Sequence, residues 1–233
     1  MTSDPIIYPA RRSGHSTLAC ITAAFETFIT ANAYRRGNGE DNLFSVELAG
    51  TTAAEDIYGG MFTVRPQRNI SEIDKTDLVI VPSMDTDFSQ VAPEDDALIE
   101  WITRQYKQGA VIVSICSGAF MLAVSGLLDG KSCSTHWAHA EDFRQQFPKV
   151  NLMTDRLITD ENGICTNGGA FSFLNLMIYL VEKYYDRETA IFCSKSLQIE
   201  MDRNSQSAFS IFTGQKLHGD KMVEDAQKYI ESS

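Results

Sequence analysis

The chain has 233 residues, of which 43% are hydrophobic and 22% are charged, and its formal net charge is −11. This length and composition suit one α/β domain, or one domain with a short appendage. The negative charge disfavours strong binding of nucleic-acid phosphates by this chain itself. The absence of an apolar run near about 18 residues argues against a membrane span.

The N-terminus and the cysteines indicate a cytoplasmic protein. The first five residues lack the basic start and the apolar core of a secretory signal peptide. The five cysteines are odd in number, widely scattered and never spaced C-x-x-C, which is typical of reduced thiols rather than of disulfides or structural zinc. The four histidines are scattered as well, and no phosphate-binding or dinucleotide motif is present. The sequence therefore predicts neither a metal site nor a cofactor.

The first half of the chain alternates short apolar stretches with stretches of helical periodicity. Strands are predicted at residues 6–8, 44–48, 61–64 and 78–81. Ser16 stands at the N-cap position of a helix that runs to about residue 34. A second helix, predicted over 93–108, begins with Pro93 and has an acidic first turn. The loop between residues 83 and 93 follows the carboxyl end of a buried strand, where open α/β sheets bind their ligands.

The second half of the chain continues the same alternation. Strands are predicted at 110–115 and 131–134, followed by a hairpin whose strands, 157–159 and 164–166, flank a turn containing Asn162 and Gly163. Helices are predicted at 117–124, 138–147, 171–185 and 187–202. Residues 203–214 are polar and irregular, and Asp220 can cap a last amphipathic helix. Strands that alternate with helices in this way predict a doubly wound α/β fold with a mostly parallel sheet.

The stretch around Cys116 is the candidate functional motif. A buried strand, 110–115, runs directly into a helix, and the turn between them has the pattern Ser114-x-Cys116-x-Gly118. This is a cysteine version of the nucleophile elbow, in which small neighbours allow a tight turn and close packing of the helix on the strand. We therefore predict that Cys116 has a strained backbone conformation and that its sulfur faces a pocket at the carboxyl edge of the sheet.

The segment from residue 114 to residue 175 resembles the ThiJ/PfpI family, a branch of the class I glutamine-amidotransferase-like fold. The elbow matches, and so does the Ser-Thr-His run that ends at His136, 20 residues after the cysteine. The runs GLLDGK at 126–131 and THWA at 135–138 are similar to one subgroup, the sensory half of AraC-type transcription regulators. Residues 203–209 and 218–220 also resemble the junction that precedes the DNA-binding half of those regulators. The resemblance implies a flavodoxin-like three-layer sandwich.

The same resemblance implies a division of the chain and a function. Residues 1–202 would form a ThiJ/PfpI-like ligand-sensing domain, and residues 203–233 a linker with the start of a truncated or absent helix-turn-helix region. The domain would bind a small-molecule effector, an amine or amide metabolite, over Cys116 and form a homodimer. It would contact DNA only through a C-terminal domain that this chain lacks, and it would have no membrane partner.

The candidate site residues follow from the motif and from the resemblance. Cys116 is the candidate nucleophile and His136 its candidate partner, although a hydrogen-bonded structural histidine is an equal interpretation of His136. The downstream His-x-Glu of amidotransferases has no counterpart except residues 139–141, which lie too close to the cysteine on a predicted surface helix. The Gly168–Gly169 turn could offer backbone N–H groups to an anion or a carbonyl, although the commoner meaning of such a pair is a helix entry that needs unusual backbone angles. The full ligand-binding set predicted is Cys116, Ser117, His136, Cys20, Asp85, Gly168 and Gly169.

Cys20 departs from the family pattern, and this departure bears on whether the domain binds its ligand or converts it. Many ThiJ/PfpI members place an acidic residue of the first helix against the cysteine, and the matching position here is Cys20. Without that carboxyl group the proton relay of the family's hydratases and glyoxalases is missing, which favours binding over turnover. A stand-alone cysteine enzyme, acting as a hydratase, glyoxalase or amidase with an acid from Asp85 or Asp87, is the alternative. A redox sensor that uses Cys116 is a third hypothesis.

Overall fold

The computed structural model describes residues 5–7, 17–83, 93–209 and 221–231. Its principal sheet has seven strands, and every pair in it is parallel except the outermost pair at one edge, as the alternating sequence pattern predicts. The strands, in spatial order, are β10 (Ile158–Glu161), β11 (Ile164–Asn167), β7 (Val111–Ile115), β6 (Leu78–Val81), β1 (Pro5–Ile7), β2 (Glu47–Gly50) and β5 (Arg68–Asn69). Two small sheets lie beside it, a hairpin of β3 (Glu55–Ile57) and β4 (Phe62–Val64), and the parallel pair β8 (Ser132–Cys133) and β9 (Asn151–Leu152).

Helices cover both faces of this sheet. The described helices are α1 (Thr17–Gly37), α2 (Pro93–Lys107), α3 (Gly118–Val124), α4 (Ala140–Gln146), α5 (Phe173–Tyr184), α6 (Arg187–Leu197) and α7 (Lys221–Glu231). None of them is long and apolar enough to cross a membrane.

The central strands are buried on both faces, and their side chains alternate between two hydrophobic layers. Leu78 and Ile80 face the layer formed with α1, α5 and α6, whereas Val79 and Val81 face the layer formed with α2, α3 and α4. This explains why the sequence of β6 is uniformly apolar instead of alternating. The three-layer sandwich is therefore confirmed.

Two predicted boundaries are wrong for identifiable reasons. The strand predicted at 44–48 begins only at Glu47, because the Phe44 carbonyl accepts a hydrogen bond from the Asn32 side chain and its N–H donates to the Tyr185 hydroxyl. The helix predicted at 187–202 ends at Leu197, because Gln198 adopts a left-handed conformation with φ 55°. The cap predicted at Asp220 lies outside the described residues.

The topology brings several strand ends to one edge. The register pairs Val81 with Ser114 and Asn167 with Ile115, so β6, β7 and β11 end side by side. The strand order also reverses near this edge, since β1 is flanked by β2 on one side and by β6 on the other. Ligands of doubly wound sheets bind outside the carboxyl ends of strands at such a reversal.

Candidate ligand site at the nucleophile elbow

Cys116 forms the turn between β7 and α3, and its backbone is strained. Its φ angle is 55°, in the left-handed region that costs a non-glycine residue about 1–2 kcal/mol. The surrounding strands hold this conformation, because the Cys116 N–H donates to the Asn167 carbonyl at 3.1 Å. The Thr135 hydroxyl donates to the Cys116 carbonyl at 3.0 Å. The predicted nucleophile elbow is therefore confirmed.

Two glycines leave the space that the elbow needs. A Cβ atom on Gly118 would lie 2.7 Å from the carbonyl oxygens of Val81 and Pro82. A Cβ atom on Gly169 would lie 2.5 Å from the sulfur of Cys116, and Gly169 has a φ of +88°. The close packing of helix on strand that the motif predicts therefore depends on glycine at 118, and a second glycine, from a distant part of the chain, bounds the cysteine.

Both backbone N–H groups of the Gly168–Gly169 turn are engaged within the protein, which favours the interpretation of this turn as a helix entry with unusual backbone angles. The Gly168 N–H donates to the Leu157 carbonyl at 2.8 Å, and the Gly169 N–H donates to the side-chain oxygen of Asn167, also at 2.8 Å. The amide nitrogen of Asn167 in turn donates to the carbonyls of Leu157 and Ser172. Asn167 thus holds the turn with its side chain and the elbow with its backbone carbonyl, which accepts from the Cys116 N–H. This fully buried residue was not among the site residues predicted from the sequence.

Cys20 lies near the elbow, and Ser117 is the buried residue that follows the cysteine. Burial, and to a smaller extent the charge of neighbouring Cys116, raises the pKa of the Cys20 thiol to about 12, with a partly opposing hydrogen bond to the backbone of Ser83. Cys20 on α1 is therefore near Cys116, as the family alignment predicts, and it stays protonated at neutral pH. Ser117 is buried, and its hydroxyl shares a 3.1 Å hydrogen bond with that of Ser83.

His136 is not hydrogen-bonded to Cys116 in the part of the chain that the structure describes. Its Nδ1 accepts a hydrogen bond from the Ala138 N–H at 3.2 Å, which caps the short 3-10 turn Trp137–His139. Burial and the neighbouring His139 lower the pKa of His136. The ring is therefore neutral at pH 7 and serves as a cap, which matches the structural interpretation. Asp85 and Asp87 lie outside the described residues, so the pocket expected over Cys116 stays a prediction.

Gln206 connects the residues after α6 to this site, and no sequence signal indicated it. Its side chain is buried and donates to the Thr135 carbonyl at 2.9 Å and to the Arg156 carbonyl at 3.4 Å. The Gln206 amide group fills the space above Gly168, where a Cβ atom would lie 2.7 Å from it. We call residues 201–209 the arm; Gln206 fastens the arm directly behind the elbow.

Comparisons with known proteins place this site in context. Residues 18–183 match the model of the DJ-1/PfpI family. The HTH-type transcriptional regulator GbdR of Pseudomonas aeruginosa is 31% identical over 108 residues, which are 46% of this chain and 29% of the regulator. Isonitrile hydratase of Pseudomonas putida is 27% identical over 131 residues, 54% of each chain. The crystal structure of an AraC family transcriptional regulator from P. putida superposes with a TM-score of 0.67 at 17% identity, covering 83% of this chain and 98% of that one. The chain spans less than half the length of the curated regulators that it matches first.

Proposed function

Since the chain belongs to the DJ-1/PfpI family, we propose that it is the effector-sensing part of an AraC-type transcription regulator. Residues 1–202 form the sensing and dimerising domain, and residues 203–233 connect it towards a helix-turn-helix region that contacts DNA. The similarity to GbdR supports this assignment, as does the similarity of fold to an AraC family regulator.

One observation carries the choice of binding over catalysis, namely the thiol at position 20. A general acid or base must exchange a proton near the working pH. The pKa of Cys20 is raised to about 12, chiefly by burial, so its thiol holds its proton, and His136 uses Nδ1 as a helix cap. The elbow thus has a strained backbone at Cys116 but no proton relay among the described residues. Such a site binds a small amine or amide metabolite without converting it.

The arm supplies the path by which binding reaches the rest of a regulator. A ligand over Cys116 shifts an equilibrium only if it binds two states with different affinity. The Thr135 hydroxyl holds the Cys116 carbonyl, and the Thr135 carbonyl holds the Gln206 side chain. A shift of the elbow therefore changes whether Gln206 stays in place, and with it the position of the arm.

A metabolite screen tests the proposed function. Amines, amides and amino acids are added to the parent protein, to Cys116→Leu and to Cys116→Ser, and the melting temperature is measured. A ligand at about 100 times its Kd should raise the parent's melting temperature by roughly 5–10 °C. The larger leucine should abolish that shift and serine should preserve it. A ligand that stabilises Cys116→Leu as much as the parent contradicts a site over Cys116.

The alternative is a cysteine-dependent hydratase, glyoxalase or amidase, which the similarity to isonitrile hydratase favours. It is tested by assaying the parent and Cys20→Glu with isonitriles and methylglyoxal. We expect no turnover by the parent, whereas the carboxylate of Cys20→Glu could restore a proton relay. Robust turnover by the parent that is lost in Cys116→Ser would establish the enzyme instead.

The proposed dimer is tested separately, by light scattering of the parent protein at tens of micromolar, an order of magnitude suited to a modest interface. A monomer at that concentration contradicts the dimer.

A further inference from the structure

A cavity lies at the edge of the sheet opposite β5. It has a volume of about 290 Å³ and is enclosed by the edge strand β10, helix α5 and the first residues of the arm. Leu157, Ile178 and Met201 give it apolar walls. Of the residues predicted for the elbow site, none that the structure describes lines it. Its volume is at the small end of the range for ligand pockets, which suits a small molecule.

The two carboxylates that line this cavity each form an ion pair with a basic side chain of the protein. Asp160 pairs with Lys183 at 2.5 Å and also accepts a hydrogen bond from the Tyr179 hydroxyl. Glu182 pairs with Arg187 at 2.8 Å. Because each carboxylate has its own cation, neither opposes the approach of an anion to the rest of the wall at short range.

The two arginines of the cavity, by contrast, have no carboxylate partner among the described residues. Arg203 lies with its guanidinium carbon 4.2 Å from the centre of the Phe209 ring. Stacking of this kind uses the face of the guanidinium and leaves the N–H donors in its plane available. The Nε of Arg203 is buried and has no hydrogen-bond partner among the residues that the structure describes, so the guanidinium is not fixed by a bond at that atom. The guanidinium of Arg156, on the same cavity wall, likewise donates to no group in the part of the chain that the structure describes.

We propose that this cavity is a binding site for a small organic anion, whose carboxylate is held by Arg156 and Arg203. Guanidinium groups match carboxylates in charge and geometry. The apolar body of the ligand packs on Leu157, Ile178 and Met201. The carboxylate accepts from N–H donors of the two guanidiniums, neither of which has a carboxylate partner among the described residues.

A ligand bound in this cavity would connect the arm to the segment that precedes β10. Arg203 belongs to the arm, whereas Arg156 shortly precedes β10, and the two segments are joined by a bridge between Arg156 and Ser205. The Asn204 carbonyl also accepts a hydrogen bond from the Leu157 N–H at 3.1 Å. An anion shared by the two arginines therefore fastens the arm to the body at a point separate from Gln206.

Hexanoate and its uncharged amide, hexanamide, form a matched pair of probes. The full chain is titrated with each at constant total salt, balanced with sodium chloride, and amide chemical shifts are followed by NMR. Hexanoate should cause saturable shifts at residues around the cavity, and hexanamide should not. Arg203→Gln and Arg156→Gln should each weaken hexanoate binding by at least about tenfold, since each removes charge-assisted hydrogen bonds. Arg36→Gln, which changes an exposed arginine on α1, should leave it unchanged.

The outcomes separate this site from the elbow. Hexanoate binding that persists in Cys116→Leu supports an independent second site, whatever the metabolite screen finds. Absence of saturable shifts up to tens of millimolar, an order of magnitude typical of the weakest specific ligands, overturns the proposal. Equal affinity for inorganic phosphate also overturns it, because the apolar walls would then contribute nothing. Spectra of the variants that overlay on the parent's away from the cavity show that the substitutions left the fold intact.

Discussion

The side chain of Cys116 is positioned by residues that lie far from it in the sequence. The local pattern of small residues was enough to predict the strained turn, because the strained residue and the glycine at position 118 lie within a few residues of each other. Asn167 and Gly169 approach from the far end of β11, and only the pairing of β7 with β11 brings them there. The elbow could therefore be predicted from its own residues, and Gly169 from the Gly-Gly turn, whereas nothing in the sequence singled out Asn167.

Position 169 tests this packing directly. Alanine at Gly169 should cost about 1–3 kcal/mol for its backbone conformation, φ 88° and ψ −165°, which essentially only glycine adopts, and a further 1–3 kcal/mol, roughly, for overpacking against Cys116. Gly126 is the matched control, since it has a φ of +75° but an added Cβ there would meet no atom beyond its chain neighbours within 4 Å. Urea unfolding should therefore show a clearly larger loss for Gly169→Ala than for Gly126→Ala. Equal losses would mean that the contact with Cys116 is unimportant.

Among the elements, the buried strands were the most predictable and the polar connections the least. Strands β6 and β7 are short, apolar and bounded by turn residues, so their sequence admits few alternatives. The end of α6 was missed because the left-handed residue is Gln198 rather than glycine. The arm was predicted as irregular, correctly, but its fastening by Gln206 depends on carbonyls at Thr135 and Arg156 that its own sequence cannot indicate.

Asp186 should determine how stably α6 begins. Its side chain accepts a hydrogen bond from the Thr189 N–H at 2.7 Å, and it pairs with Arg35 at 2.9 Å. Asp186→Ala should cost about 1 kcal/mol in urea unfolding at pH 7, the usual loss of an N-cap. Asp186→Asn should lose less, because asparagine caps equally well and the Arg35 pair is half exposed. Equal losses in the two variants would show that the ion pair, not the cap, is what matters.

The same aspartate predicts a dependence on pH. The Thr189 N–H, with help from Arg35, lowers the pKa of Asp186. Because the folded pKa is depressed, the charged group stabilises the fold above its unfolded pKa of about 3.9, and this contribution is lost as pH falls through the folded pKa. Between about pH 5 and pH 3, a window chosen around that unfolded value, the parent should therefore lose stability more steeply than Asp186→Asn. Parallel curves would contradict the assignment.

The contact between the arm and the elbow can be measured as a coupling. A Cβ at position 168 would displace the Gln206 side chain and break its two hydrogen bonds, so Gly168→Ala should cost roughly 1–2 kcal/mol. Gln206→Ala should cost a similar amount and also vacate the space that the new methyl group needs. The double variant should then be no less stable than Gln206→Ala alone, a coupling of about 1 kcal/mol. Additive losses in urea unfolding would show that Gly168 and Gln206 act independently.

At the scale of the whole molecule, the two proposed ligand sites lie in different parts of the fold. The doubly wound sheet gathers the elbow at one edge, while the two arginines at β10 and on the arm form a local cationic site in a chain whose formal net charge is −11. Alternating apolar segments predicted that architecture. The cavity beside β10 could not be predicted, because it needs β10, α5 and the arm to be brought together by tertiary packing.

The net charge yields the last prediction, that this chain has no appreciable affinity of its own for duplex DNA. Nucleic-acid binding is driven largely by cationic side chains that release counterions from phosphates, and it strengthens steeply as salt is lowered. With 31 acidic and 20 basic residues, the chain repels that polyanion at long range. Fluorescence anisotropy of labelled duplexes should therefore show no saturable binding at about 150 mM salt, where screening limits charge effects to roughly 8 Å. Lowering the salt should not create such binding, because repulsion between like charges grows as screening falls. Saturable, salt-dependent binding would instead assign a DNA contact to the residues of this chain, and the separation of sensing from DNA recognition proposed above would then be wrong.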